Sequence, residues 1–175
     1  EKITCEDKGK VLIRSTKINP ELIPYIATWE KIIFKGIPKV MYKPYDDMWY
    51  ELREKADCRD LMPQKNRFKG KIFMLGGPSN VSATFTMLDR ANQFGFATVV
   101  GETSGGNQQG INGGSYAFFY MPYSKMEVDI PLKYFAPNHE RPDAGVAPKV
   151  EIKFTQETIA KGIDPHLIYI QKLID

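Results

Sequence analysis

Cysteine and histidine, the residues that most often carry redox and metal chemistry, are nearly absent: two of each occur in 175 residues. Cys5 and Cys58 are too few for a disulfide framework and leave open either two unpaired thiols or a single bridge. None of the His, Cys and carboxylate residues stands at metal-ligand spacing, so neither a metal nor an organic cofactor is expected. Long apolar runs are missing too. No stretch approaches the roughly 18 residues of a membrane span. Charge of one sign is scarce: the formal net charge is +3, the lysines are scattered, and no helix candidate carries a basic stripe with interleaved aromatics. Nucleic acid is therefore not an expected partner. There is no internal repeat and no low-complexity tract. What remains is 42% hydrophobic and 26% charged, the balance of one globular domain over residues 1–175, long enough to bury a core.

The chain is organised around residues 70–114. Lys71-Ile72-Phe73-Met74-Leu75 is a short apolar run that stops at Gly76-Gly77-Pro78-Ser79-Asn80, a cluster that only a turn accepts. From there Val81, Phe85, Leu88 and Ala91 (or Asn92) recur at helical spacing, with Ser79 or Asn80 as the cap, which puts Ser82 in the first helical turn. Ala97-Thr98-Val99-Val100 is a second strand, followed by a glycine-rich loop that begins at Gly101. A serine in a first helical turn is ordinarily a cap or a solvent-facing residue. Just past a strand end, however, its hydroxyl also sits where helix dipole and free N–H groups can stabilise an oxyanion.

The residues themselves point to one family. Gly76-Gly77-Pro78-Ser79-Asn80-Val81-Ser82-Ala83, then Gly95-Phe96-Ala97-Thr98-Val99-Val100-Gly101-Glu102, then the glycine-rich loop, resemble in order and without a gap the nucleophile block of the C-terminal processing (tail-specific) serine peptidases. Ala144-Gly145-Val146-Ala147-Pro148 is similar to that family's Gly-Val-x-Pro-Asp turn, and Gly162-Ile163-Asp164-Pro165-His166-Leu167 to the start of its last helix. The likeness runs from about Gly70 onward; nothing in residues 1–69 matches the family's Asp-Leu-Arg-x-Asn-x-Gly-Gly strand and turn, or a PDZ domain. The resemblance implies an α/β domain of the Clp protease and crotonase-like layered fold. It also implies an extracytoplasmic location, in which a Cys5–Cys58 bridge becomes possible. The chain starts at Glu1 with neither Met nor a signal sequence, which reads as a processed product or as the later portion of a longer catalytic domain.

Outside the block, residues 10–16 read as a strand, residues 19–35 as a helix opened by Asn19-Pro20, and residues 46–56 as a second helix. Trp49, Tyr50 and Met48 on that second helix would serve packing or line a cleft. Residues 57–69 read as an exposed connector. Residues 115–121 and 125–132 read as a hairpin, because Met126, Val128, Ile130 and Leu132 alternate with polar residues and proline. Residues 135–149 read as irregular, residues 150–154 as a strand, and residues 155–161 and 165–174 as short helices.

A serine hydroxyl needs a base and oxyanion donors to attack a carbonyl. In the lysine-dyad branch of the family the base stands 25 residues after the serine; here that position is Asn107, which cannot take a proton, so the dyad does not apply. The loop Thr103-Ser104-Gly105-Gly106 instead resembles the tricorn-like branch, whose His comes from further upstream, so the base is expected outside this chain. His139 is the other candidate base, in an irregular segment, with a surface role as the competing reading; His166 reads as structural. Glu140 or Asp143 is the candidate acid or orienting residue, against a surface salt bridge with Arg141. Ala83 would lend its N–H to the oxyanion, and Gly105, Gly106 and Asn107 would form a flexible substrate loop. Gly105 and Gly110 mimic a phosphate-binding loop, but Ile111-Asn112 stands where the Lys-Ser/Thr pair belongs, so nucleotide binding is not expected.

The leading expectation is a serine endopeptidase acting on polypeptides through Ser82, with the substrate added as a strand at a sheet edge. The alternatives are a catalytically inactive peptide- or ligand-binding module of the same fold, and a crotonase-like acyl-transfer enzyme that would not need Ser82.

Overall fold

The structure, a computed structural model, describes residue 3 and residues 9–14, 18–29, 34, 36–53 and 61–174. It is a mixed α/β chain with one antiparallel and one parallel sheet, and it falls into two compact units. The first comprises Pro63–Gln109 and the segment from Arg141 onward; the second comprises the described residues up to Met62 and Gly110–Glu140. Cys5 and Cys58 lie outside the described residues.

The second unit is a six-stranded sheet. Its strands are β1 (Lys10–Arg14), β2 (Ile26–Thr28), β3 (Tyr42–Pro44), β4 (Trp49–Leu52), β7 (Ile111–Tyr120) and β8 (Glu127–Ala136). They lie in the order β2-β7-β8-β1-β4-β3, every pair antiparallel. Leu12, Ile13, Tyr42, Ala117 and Leu132 are buried hydrophobic residues of this unit, with Ile18, Ile26 and Phe34 packed against Ala117 and Leu132. The hairpin forms where it was expected, but of the alternating Met126, Val128, Ile130 and Leu132 only Leu132 is buried and the other three are exposed.

Neither helix expected in this unit forms over the described residues. The described residues among 19–29 form a 3-10 turn, Pro20–Tyr25, capped by the Asn19 side chain, and then β2. Pro24 has no N–H to continue a helix, and Ile26 and Thr28 are β-branched residues that pair with Phe119 and Ala117. Residues 46–48 form a turn in which Asp46 Oδ1 accepts the N–H groups of Met48 and Trp49, each at 2.8 Å. That local bond starts a hairpin, and Trp49–Leu52 becomes β4. Residues 30–33, 35 and 54–60, on which parts of the expected helices and connector fall, lie outside the described residues.

The first unit carries β5 (Phe73–Gly76), α1 (Ser82–Phe94), β6 (Thr98–Gly101), β9 (Val150–Glu151), α2 (Gln156–Ala160) and α3 (Pro165–Gln171). β5, β6 and β9 form a parallel sheet with β6 in the middle. Burial explains the arrangement. Val99 and Val100 are both sealed, as a central parallel strand requires, and Phe85, Leu88 and Ala91 form the inward stripe of α1. Each such side chain contributes about 1.5–3 kcal/mol on leaving water. Thr155 and Asp164 cap the two short helices, as their positions just ahead of the helical spacing suggest.

Several boundaries differ from expectation: the strand expected over 150–154 is only Val150–Glu151, and the helix expected over 165–174 is Pro165–Gln171. Val81, with no side-chain capping bond, is the N-cap of α1, because Ser79 and Asn80 are consumed in a turn closed by Asn80 N–H to Gly77 O at 2.9 Å. The glycine-rich stretch ends earlier: Gly113 and Gly114 lie in β7, where Gly114 takes φ +73 beside a shift in register. Residues 135 and 136 belong to β8, so the irregular segment begins at Pro137.

Candidate active site

The site is built where two strands end in backbone contact. A Cβ on Gly101, at φ +128, would lie 2.3 Å from Gly76 O, so only glycine fits. The chain then turns through 77–80, extends at Val81, and enters α1 at Ser82 with φ +55. That left-handed backbone costs a non-glycine residue about 1–2 kcal/mol. Ser82 is nevertheless the first helical residue, and it is exposed. The first bond of the helical ladder is Phe85 N–H to Val81 O at 3.4 Å. The N–H groups of Ser82, Ala83 and Thr84 therefore have no partner inside the helix, and the positive end of the helix dipole lies beside the hydroxyl. Thr86 Oγ1 donates to Ser82 O at 3.2 Å, which ties the carbonyl and leaves the side chain to project.

The glycine-rich loop lies directly on this elbow. A Cβ on Gly105 would meet Pro78 O at 2.3 Å and Val81 Cγ1 at 2.8 Å; one on Gly106, at φ +81, would meet the Phe85 ring at 2.9 Å. Close approach, more than freedom to flap, is the physical reason for both glycines. On its other side the loop is stitched to residues 144–146. Ser104 N–H donates to Val146 O at 3.0 Å, Val146 N–H to Ser104 Oγ at 2.9 Å, and Gln108 N–H to Ala144 O at 2.9 Å. Gly145 belongs to the same seam, since a Cβ there would lie 1.9 Å from Ser104 O.

Among the residues singled out from sequence, Ser82, Ala83, Gly105 and Gly106 come together in this unit. Asn107 and Asp143 also meet: the Asn107 amide donates to the Asp143 carboxylate, while Asn107 Oδ1 accepts Gln109 N–H at 2.8 Å. His139 and Glu140 are exposed and belong to the other unit. The salt bridge weighed for Arg141 forms with neither Glu140 nor Asp143. Its Nη2 lies 2.6 Å from Asp89 Oδ1 and 2.5 Å from Gln108 Oε1. Asp89, Gln108 and Ser104 had no local signal, because their partners lie 33 to 52 residues away.

His166 is buried in the same unit as Ser82 and is committed elsewhere. Its Nε2 lies 2.8 Å from Ile152 O, which can only accept, so Nε2 carries the proton. Its ring meets Phe154 edge-on at 4.8 Å. Among the described residues no group of three or more His, Cys, Asp or Glu could hold a metal ion, and no helix is long and apolar enough to cross a membrane. No protein-family model matches the chain, and no curated protein matches it.

Proposed function

We propose that this chain is a serine endopeptidase domain of the tail-specific, tricorn-like kind, on a Clp protease and crotonase-like layered fold, and that it acts on polypeptides outside the cytoplasm. One observation carries the reading: Ser82 holds a left-handed backbone at a sharp strand-to-helix turn with its hydroxyl exposed. Strain of this kind persists where the surroundings enforce it, and nucleophile elbows are a recurrent instance. Ser82 Oγ attacks the scissile carbonyl, and Ala83 N–H, at the positive end of α1, takes the developing oxyanion. A base supplied from outside this chain accepts the hydroxyl proton and returns it to the leaving amine; water then hydrolyses the acyl-enzyme.

A second reading is favoured by the commitment of two groups. His166 is bonded to Ile152 O, and Asn107, at the dyad position, is bonded to Asp143. An elbow with no base would make the domain a non-catalytic peptide-binding module. Reaction of the chain, and of the complete gene product that carries it, with a fluorophosphonate probe separates the two, with peptide mapping and a Ser82→Ala control. Labelling at Ser82 supports the peptidase, and labelling of the complete product alone assigns the base to residues beyond these 175. No labelling in either form overturns the peptidase and leaves the binding module.

A further inference from the structure

The glycine-rich loop and the segment from Arg141 onward form one stitched body, and side-chain bonds tie that body to α1. One is Asn92 Nδ2 donating to Ala147 O at 2.8 Å, near the far end of the helix. Another is the Arg141 guanidinium, whose Nη2 donates at once to Asp89 of α1 and to Gln108 of the loop. Both acceptor side chains are bonded a second time. Asp89 Oδ2 takes the Gln93 amide at 2.5 Å, and the Gln108 amide nitrogen donates to Gly145 O at 2.9 Å. Arg141 and Asp89 are only 23% and 19% exposed, so their pairing is partly shielded from solvent. Seven residues separate Asp89 from Ser82, two helical turns, so both lie on the same face of α1. Near the start of α1, Gly105 rests on Pro78 O and Gly106 on the Phe85 ring.

We propose that Arg141 is a positioning residue for Ser82. It clamps the glycine-rich loop onto α1, and the clamped loop presses on Pro78 and Val81 to hold the left-handed turn at Ser82. The catalytic half of this inference rests on Ser82 being the nucleophile; the clamp itself rests on the bonds just described. Arginine suits the post because its fork can serve two acceptors on two segments, whereas lysine offers one compact charge.

The test pairs amide hydrogen exchange with saturation kinetics of fluorophosphonate labelling, in whichever form of the protein reacts. In Arg141→Leu, the Ser104 and Gln108 amides should exchange roughly tenfold to a hundredfold faster, the range expected for losing a charge-assisted bond. The maximal labelling rate at Ser82, corrected for folded fraction, should fall about tenfold with the half-saturating probe concentration unchanged. Asp89→Ala should reproduce both effects, the double variant should be no worse than either single, and Arg141→Lys should restore part of each. If the variants lower only global stability, with loop exchange and corrected labelling unchanged, Arg141 is merely structural and the proposal is overturned. If the unaltered protein is not labelled at all, the nucleophile reading falls and takes the catalytic half with it. The loop amides then decide the clamp alone, since unchanged exchange in Arg141→Leu overturns it and faster exchange supports it.

Discussion

Two residues other than glycine adopt positive φ among the described residues, Ser82 at 55° and Lys125 at 59°, and their settings differ. Lys125 lies in the turn joining β7 to β8, where Lys125 N–H donates to Met121 O at 3.0 Å and Met121 N–H to Met126 O at 2.9 Å. Turns of that kind demand a left-handed residue, and any residue that tolerates it will serve. Ser82 starts a helix of 13 residues, where ordinary helical backbone is the expectation. The backbone around it is closely approached: a Cβ at Gly101 would lie 2.3 Å from Gly76 O, and one at Gly105 2.3 Å from Pro78 O. Similar backbone angles therefore belong to a generic turn in one region and to the start of a helix, where no turn calls for them, in the other.

The sharpest break of that comparison is chemical. Ser82→Gly keeps the backbone and removes the hydroxyl, so probe labelling and any peptide hydrolysis should fall by at least about a thousandfold. Lys125→Gly should leave both unchanged. Equal losses in the two variants would mean that labelling does not occur at Ser82.

The next largest effect concerns what enforces the elbow. Gly145→Ala puts a Cβ 1.9 Å from Ser104 O, inside the seam that holds the loop. It should destabilise by about 3 kcal/mol, read from urea unfolding. Gly95→Ala is the control. That residue has φ +64 but nothing within 4 Å of its would-be Cβ, so the cost should be about 1 kcal/mol from backbone strain alone. Similar costs at the two positions would show that the seam yields, and that the elbow is not rigidly held.

His166→Phe comes third. It removes the donor to Ile152 O while keeping a ring against Phe154, and should lower stability by about 1–2 kcal/mol. The labelling rate per folded molecule should not change. A loss of labelling would make His166 part of the machinery and contradict its commitment to a backbone carbonyl.

The same contrast between regions governs what was legible beforehand. In the Ser82 unit the signals are local. A run of apolar residues stopped by glycine, then Phe85, Leu88 and Ala91 at helical spacing, can hardly be anything but strand, turn and helix. In the sheet unit, Leu22 and Ile26 are also four apart, yet Ile26 is held by Phe119, a residue 93 positions on. Helical spacing among a few apolar residues is weak beside a long-range ladder, and Pro24 was the local warning. At the site, Ser82 and the glycines were legible as types at positions, whereas the left-handed backbone was not. No local signal marks it, and the groups that crowd the neighbouring turn, Gly105 against Pro78 and the 144–146 seam against the loop, come together only on folding. Arg141 shows the same limit: its sequence neighbours Glu140 and Asp143 were the obvious partners, and Asp89, 52 residues away, is the actual one.

The smallest expected effect tests whether the two left-handed residues carry the same backbone cost. Replacing either by glycine relieves about 1–2 kcal/mol of strain, and it adds about 0.5–1 kcal/mol of unfolded-chain entropy that folding must overcome. The net should be a stabilisation of about 0.5–1 kcal/mol for Lys125→Gly, whose exposed side chain takes little with it. Ser82→Gly should give the same gain, because the Ser82 hydroxyl projects from the elbow and Ser82 O keeps its bond from Thr86. Urea midpoints of the two single variants and of the double decide it. Additive, matching gains would mean that the two residues carry the same backbone cost and that strain at the elbow can be released without harm to the fold. A loss of stability in Ser82→Gly alone would mean that the serine side chain supports the turn, and that its backbone angle reflects local bonding instead.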